Sequence, residues 1–213
     1  MEDCRWEKIT GWKLAGFSLG LAAFVALLLA SEPGFIFGLD HANLLFHEAG
    51  HPFIGLFSTR LEPYGGTLGQ LVFPAALAVS FWRKGQALAF GASVIWFFEN
   101  WLNIARYMAD ARALELPLVG GGDHDWNTIF TRWNMLQYDL NFASTVKFLG
   151  WTGMVMVVLW VGGRGWWESA LIRWLNLTDG GLPSGQCCGG KRRYFSSAVS
   201  ARKISSRWPV VWL

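Results

Sequence analysis

A long apolar run near the N-terminus limits what this chain can fold into. Residues 12–30 are almost entirely apolar, and Lys13, at the start of the run, can extend its charge beyond an apolar layer. About 20 apolar residues in a helix cross the roughly 30 Å hydrocarbon core of a bilayer. Signal-peptide cleavage after Ala30 would require a small residue where the chain has Leu28. We therefore predict a retained membrane helix.

The composition supports the same interpretation for the whole chain. Hydrophobic residues make up 53% of it and charged residues only 15%, whereas soluble domains have about 25% charged residues. The chain also has 14 Trp, a residue that collects at membrane interfaces. A formal charge of +3 is too small to indicate a nucleic-acid partner, and three Cys show no disulfide framework. We predict an integral membrane protein whose partner is the lipid bilayer, with no nucleic-acid partner.

Four further apolar segments follow the first one. Three of them have the length expected of membrane helices, namely 67–82, 86–107 and 146–161. The remaining segment, 44–57, has about 14 residues and is short for a full crossing, so it suits a re-entrant or partly buried helix. We predict an all-α, polytopic fold with about four to five membrane segments, one of them re-entrant.

The chain divides near residue 176. We expect residues 1–176 to form one helical membrane domain and residues 177–213, which are Gly-rich and then basic, to form a disordered tail. Lys and Arg near the first segment place the N-terminus in the cytoplasm. A re-entrant 44–57 segment puts the polar region 109–143 on the outside. If that segment crosses fully, the basic residues Arg83 and Lys84 move outside, which the charge bias disfavours.

The short segment 44–57 contains the sequence His47-Glu48-Ala49-Gly50-His51. In a helix His47 and His51 project from one face, and two imidazoles at this spacing can bind one tetrahedral Zn²⁺. Glu48 is rotated by about 100° from His47, so it can act as general base on a water at the metal. Such polar residues in an apolar segment cost several kcal/mol unless they are paired or bind a metal. We predict a zinc site with His47 and His51 as ligands and Glu48 as the catalytic base.

A catalytic zinc also needs a third protein ligand, and several residues in the polar region have the required chemistry. His124 lies in a Gly-rich loop that can fold over the site, and Asp110 ends a membrane segment. Asp123 and Asp125 are further candidates, although either can instead cap a helix that begins at Trp126. We predict His124 and Asp110 as the candidate ligands, and Asp125 as a residue that contacts substrate or supports the ligands.

Three polar residues interrupt the segment 86–107: Glu99, Asn100 and Asn103. Positions 99 and 103 share a helix face, as do positions 100 and 103. We predict that Asn100 and Asn103 bind substrate or orient the groups around the metal. Hydrogen bonding between helices, with no role in chemistry, is the alternative.

The motif at His47 resembles that of the membrane-embedded, site-2 protease-like zinc metallopeptidases, which carry H-E-x-x-H in a transmembrane helix. More closely, residues 40–140 are similar to small bacterial membrane proteins with an H-E-A-G-H motif. The stretches that carry this similarity are His47 to His51, Gly65-Gly66-Thr67-Leu68-Gly69-Gln70, Ala109-Asp110-Ala111-Arg112 and Asp123-His124-Asp125-Trp126. The resemblance implies Zn²⁺ as cofactor, peptide-bond hydrolysis in membrane-anchored protein substrates, and a location in the bacterial inner membrane.

The chain departs from the site-2 protease pattern at the third ligand. Those enzymes take it from an Asp in an N-x-x-P…D-G segment on a later helix, and this chain has no convincing copy; Asp179-Gly180 falls in the tail. The resemblance therefore extends to His47, Glu48 and His51 only. A non-catalytic metal-binding or structural subunit of a membrane complex is the alternative to a peptidase.

Overall fold

The computed structural model describes residues 6–31, 35–118 and 123–178, and all regular structure within these ranges is helical. The all-α prediction is confirmed for them. The helices are α1 (Gly11–Ala30), α2 (Leu39–Gly55), α3 (Glu62–Arg83), α4 (Ala87–Ala109), α5 (Asp125–Arg132) and α6 (Asp139–Thr178), with a short 3₁₀ turn at Leu136–Tyr138. The predicted tail, 177–213, lies outside the described residues except for positions 177 and 178, which end α6.

Within the described ranges, three segments are long and apolar enough to cross a membrane: Gly11–Ala30, Glu62–Arg83 and Leu136–Trp167. The helix that carries the histidine motif, α2, is shorter at 17 residues and contains Pro52. The 23-residue α4 is long enough, but it carries Glu99, Asn100 and Arg106 in its second half. The structure therefore supports a protein with several membrane helices. The helices α2 and α4, which carry the polar residues named above, are not among the candidate spans.

Helices α2 and α3 pack with their backbones in contact, because glycine lies at each crossing point. A Cβ atom on Gly50 would lie 2.0 Å from the carbonyl oxygen of Gly65, and one on Gly69 would lie 2.3 Å from the carbonyl oxygen of Phe46. No side chain fits at either position. Small residues allow this close approach of helices in membranes, and it brings α3 directly against the face of α2 that bears the histidines.

The short helix α5 is held by an apolar core that also includes parts of α4 and α6. Ile129 and Phe130 are fully buried, and Trp126 is 7% exposed. They pack with four residues from the neighbouring elements: Ile104, Met108, Ala111 and Ala143. Burial of each large side chain contributes about 1.5–3 kcal/mol relative to exposure in water. This core fixes α5 so that its first residue, Asp125, faces α2.

Candidate metal centre

His47 and His51 lie one turn apart on α2 and face the same side, with their ring centroids 4.9 Å apart. This is the arrangement that their four-residue spacing predicts for a helix. Gly66 of α3 makes room for the first ring, since a Cβ atom there would lie 2.4 Å from two atoms of the His47 imidazole. The close packing of α2 and α3 therefore determines where the His47 ring can lie.

Asp125 completes a group of three with the two histidines. Its Oδ2 atom lies 3.0 Å from His47 Nε2 and 3.3 Å from His51 Nε2. One ligand atom of each residue lies within 4.8 Å of the others, so the group can hold a metal ion. Zn–ligand bonds of about 2.0–2.2 Å place tetrahedral ligands about 3.3–3.6 Å apart. The observed separations are close to these values.

A hydrogen bond on the side of the His51 ring that faces away from Asp125 determines which ring nitrogen carries a proton. His51 Nδ1 lies 3.0 Å from the carbonyl oxygen of Glu62, which can only accept, so Nδ1 carries a proton. His51 Nε2 points at the Asp125 carboxylate, and the hydrogen bond with Asp125 raises the pKa of His51 to about 9, so a proton lies between the two atoms when no metal is bound. Without that proton Nε2 has a free lone pair beside the carboxylate. The donor set therefore fits a metal ion in the place of the proton.

The carboxylate of Asp125 is ionised in this setting. Burial alone raises the pKa of Asp125, but the combined hydrogen bonds from His47 and His51 outweigh it and hold that pKa below its ordinary value. An ionised carboxylate beside two imidazoles is a common ligand set for zinc in enzymes that keep a coordination position open.

The start of α5 positions Asp125. His124 is the N-cap of the helix, and its Nδ1 accepts a hydrogen bond from the backbone N–H of Asn127 at 3.2 Å. The side chain of Asn127 donates to the carbonyl oxygen of Ala111 at 2.7 Å, which ties the first turn to the end of α4. The helix thus begins one residue before the predicted position at Trp126, and its cap is His124 rather than Asp123 or Asp125.

The predicted ligands His124 and Asp110 form a pair outside the three-residue group. His124 Nε2 lies 3.3 Å from Asp110 Oδ2, and burial lowers the pKa of His124 despite this carboxylate. The other contacts of Asp110 are backbone N–H groups, those of Glu115 at 2.9 Å and Leu116 at 3.1 Å. His124 Nδ1 therefore contacts the first turn of α5, and its Nε2 lies beside the carboxylate at the end of α4. The pair therefore joins the two ends of the segment between α4 and α5. Asp125, rather than His124 or Asp110, faces α2.

Glu48 lies in the wall of the cavity that contains the three-residue group. This cavity has a volume of about 870 Å³, and His47, His51 and Asp125 also line it. Asp123 lines it as well, although it is not in the group. Glu48 therefore lines the same cavity as the candidate metal ligands, as its place in the motif predicts.

A second polar cluster, formed by Asp40, Asn43, Glu99, Asn100 and Asn103, joins α2 to α4. Asn43 donates from Nδ2 to Asp40 Oδ1 at 3.2 Å and to Glu99 Oε2 at 3.1 Å. Its Oδ1 accepts from Asn100 Nδ2 at 3.3 Å. Asn103 donates from Nδ2 to both carboxylates, at 2.5 Å to Asp40 and 2.6 Å to Glu99. Asn100 and Asn103 therefore each make one hydrogen bond to α2 and one within α4. Asn103, Asp40 and Asn43 also line the cavity.

Sequence reasoning missed Asp40 and Asn43, although a signal was present. Asn43 precedes His47 by four residues and Asp40 precedes it by seven, so all three share one face of α2. It also missed Tyr107, whose hydroxyl oxygen accepts a hydrogen bond from the backbone N–H of Asp125 at 3.2 Å. No local pattern singles out that tyrosine, because its contact with Asp125 depends on how α5 packs.

The fold and the site together define a class: the described part of the chain is helical, with three segments able to cross a membrane and a largely buried His-His-Asp group that can hold a metal ion. Comparison of the chain with protein-family models, curated proteins and solved structures finds no match.

Proposed function

We propose that this protein is an integral membrane zinc metallopeptidase that hydrolyses peptide bonds of membrane-associated proteins. The observation that carries the proposal is the group formed by His47, His51 and Asp125 in the wall of a cavity that also contains Glu48. Two imidazoles and one carboxylate form a ligand set that zinc accepts, and they leave a fourth position for water or substrate. In this account Asp125 is the third ligand.

The chemistry that zinc supplies when bound is polarisation of a carbonyl oxygen and acidification of water. Glu48 follows His47 directly on α2, and it accepts the proton of the attacking water and passes it to the leaving amine. Asp125 and the two histidines would hold the ion, and the Glu62 carbonyl oxygen keeps the proton of the His51 ring on Nδ1, which leaves Nε2 to bind the metal. His124 caps the helix that begins at Asp125, and Asp110 lies beside His124, so the pair helps to position Asp125.

The membrane setting rests on the three helices that are long and apolar enough to cross a bilayer. In this proposal α2 is a re-entrant helix, since it has 17 residues and its polar face lines the cavity. The cavity wall also includes Leu116, Pro117 and Thr128 from the region between α4 and α6, so the cavity extends from α2 to the segments outside the long apolar helices. We place the protein in the bacterial inner membrane, with a membrane-anchored protein as its substrate.

A second candidate function is a non-catalytic, metal-binding subunit of a membrane complex. The observation that favours it is the polar cluster between α2 and α4, whose side chains bond to one another and need no substrate. Under this alternative the metal would stabilise the contact between α2 and α5, and Glu48 would have no role in chemistry.

The experiment that separates the two measures zinc content and peptide cleavage on the same preparations. Wild type, Glu48→Gln and a control, Glu7→Gln, whose side chain pairs with Lys13 and does not line the cavity, are purified in detergent and returned to liposomes with fluorescence-quenched transmembrane peptides. The peptidase predicts about one zinc per chain in all three proteins and cleavage by wild type and Glu7→Gln only. Zinc without cleavage in wild type supports the non-catalytic subunit, and the absence of stoichiometric zinc contradicts both.

A further inference from the structure

Tyr107 of α4 lies beside the candidate metal ligands and lines the same cavity. Its ring is 5.7 Å from the His47 ring, in an edge-on arrangement, and 4.1 Å from the His124 ring. Two imidazoles on different elements therefore hold the phenol in place. A side chain held in this way is preorganised, so it loses little freedom when it contacts a bound molecule.

The hydroxyl group of Tyr107 has a proton to donate. Its oxygen accepts a hydrogen bond from the backbone N–H of Asp125 at 3.2 Å, which uses one of its two lone pairs. Since Asp125 is the donor in that contact, the phenol proton is not involved in it. Among the described residues, no hydrogen bond gives this proton an acceptor. The proton is therefore available to a group that enters the cavity.

Two other donors in the cavity wall, Arg132 and Asn103, already have protein partners. Arg132 donates to the carbonyl oxygen of Arg60 at 2.6 Å, and the amide of Asn103 donates to Asp40 and Glu99. Tyr107 differs from them because it contacts one ligand through its ring and another through its hydroxyl oxygen. Its donor thus lies close to where a substrate oxygen would meet the ion.

We propose that Tyr107 is a further catalytic residue, which donates a hydrogen bond to the oxygen of the scissile carbonyl while that oxygen carries negative charge. The inference rests on the proposed peptidase function. Water forms a bond to the carbonyl carbon, the π pair moves to the oxygen, and the proton of the water goes to Glu48. When the C–N bond breaks, the oxygen pair re-forms C=O and the nitrogen takes the proton from Glu48. Tyr107 keeps its own proton and stabilises the oxyanion.

The test uses a small probe and a readout other than turnover. The protein is loaded with Co²⁺ in detergent and titrated with acetohydroxamate, whose oxygens occupy an open metal position, while the visible absorption of cobalt reports binding. We compare wild type with Tyr107→Phe and with a control, Tyr64→Phe, whose ring packs near Trp133 at 6.2 Å. A hydrogen bond to a charged oxygen is worth about 1.5–3 kcal/mol, so Tyr107→Phe should weaken acetohydroxamate binding by about tenfold or more.

The expected result is that Tyr107→Phe holds as much cobalt as wild type and binds the probe more weakly, while Tyr64→Phe matches wild type in both respects. Unchanged affinity in Tyr107→Phe overturns the inference but leaves the peptidase proposal intact. Loss of cobalt in Tyr107→Phe also overturns it, because the residue would then be structural. If wild type binds cobalt and acetohydroxamate leaves its spectrum unchanged, the metal has no open position, and the peptidase proposal itself fails.

Discussion

Asp125 Oδ2 lies 3.0 Å from His47 Nε2, although the two residues are 78 positions apart in the chain. This contact joins the short helix α5 to the helix that carries the histidine motif. It turns two histidines into a group of three ligands, and it depends on the apolar core beneath α5 rather than on any local sequence pattern. The predictions below test the contact and the elements that support it.

Asp125 should be necessary for metal binding, whereas the neighbouring Asp123 should not. Asp125→Ala removes one of three ligands, and even the loss of a group that only supports a ligand costs about 10–100-fold in affinity. We expect zinc affinity to fall by more than about 100-fold in this variant. Competition with a chelator of known affinity measures it. Asp123→Ala, which alters a carboxylate in the same cavity wall, is the control and should bind zinc as wild type does.

Asp110→Asn distinguishes a supporting residue from a ligand. Asp110 accepts from two backbone N–H groups and lies beside His124, so its loss should loosen the loop before α5 without removing a ligand. We expect zinc affinity to fall by about 10–100-fold, less than in Asp125→Ala. A loss as large as that of Asp125→Ala, measured by the same chelator competition, would make Asp110 a ligand and contradict the geometry.

Gly66→Ala should displace the His47 ring. The new Cβ would lie 2.4 Å from two ring atoms, and contact at that distance forces the ring or the α2–α3 packing to shift. We expect loss of stoichiometric zinc with helix content retained, as measured by elemental analysis and circular dichroism. Gly16→Ala in α1 is the matched control, because no atom lies within 4 Å of a Cβ there. Normal zinc content in Gly66→Ala would show that the ring is not confined.

Asn103→Leu should destabilise the fold, because it removes the amide that donates to both Asp40 and Glu99. Leaving buried polar groups without a partner costs about 1–3 kcal/mol each. We expect a lower midpoint of thermal unfolding in detergent and, at low temperature, zinc content close to that of wild type. Asn141→Leu, at an exposed position of α6, is the control. Equal unfolding midpoints in the two variants would argue against a structural role for the cluster.

Zinc should be released as the pH falls, and the histidines should account for the release. The metal binds neutral imidazole, and the hydrogen bond with Asp125 raises the pKa of His51 to about 9, so protons compete with zinc for His51 below about pH 9. The pKa of Asp125 is held below its ordinary value, so its carboxylate stays ionised above about pH 5 and adds nothing to the change there. We expect zinc affinity to fall by about tenfold per pH unit below about pH 9. Affinity that does not change between pH 8 and pH 5 would exclude His51 as a ligand.

The sequence predicts the elements whose formation depends on residues close together in the chain. Apolar runs predict α1, α3, α4 and α6, although α6 begins seven residues before the predicted start at 146, because polar residues from Asp139 onward continue the helix. The spacing of His47 and His51 predicts their common face. The choice among Asp110, Asp123, His124 and Asp125 has no local cause, since all four have suitable donor atoms. The N-cap at His124 and the burial of Ile129 decide it, because they set which side chain faces α2.

The central claim is that the ligands of the metal are His47, His51 and Asp125. Zinc K-edge X-ray absorption on the purified full-length chain tests it most directly. The account predicts about one zinc per chain with two imidazole nitrogens and carboxylate or water oxygens at about 2.0–2.2 Å, and a changed spectrum in Asp125→Ala. Sulfur scattering at about 2.3 Å, which would indicate binding by Cys4, Cys187 or Cys188, would contradict the account.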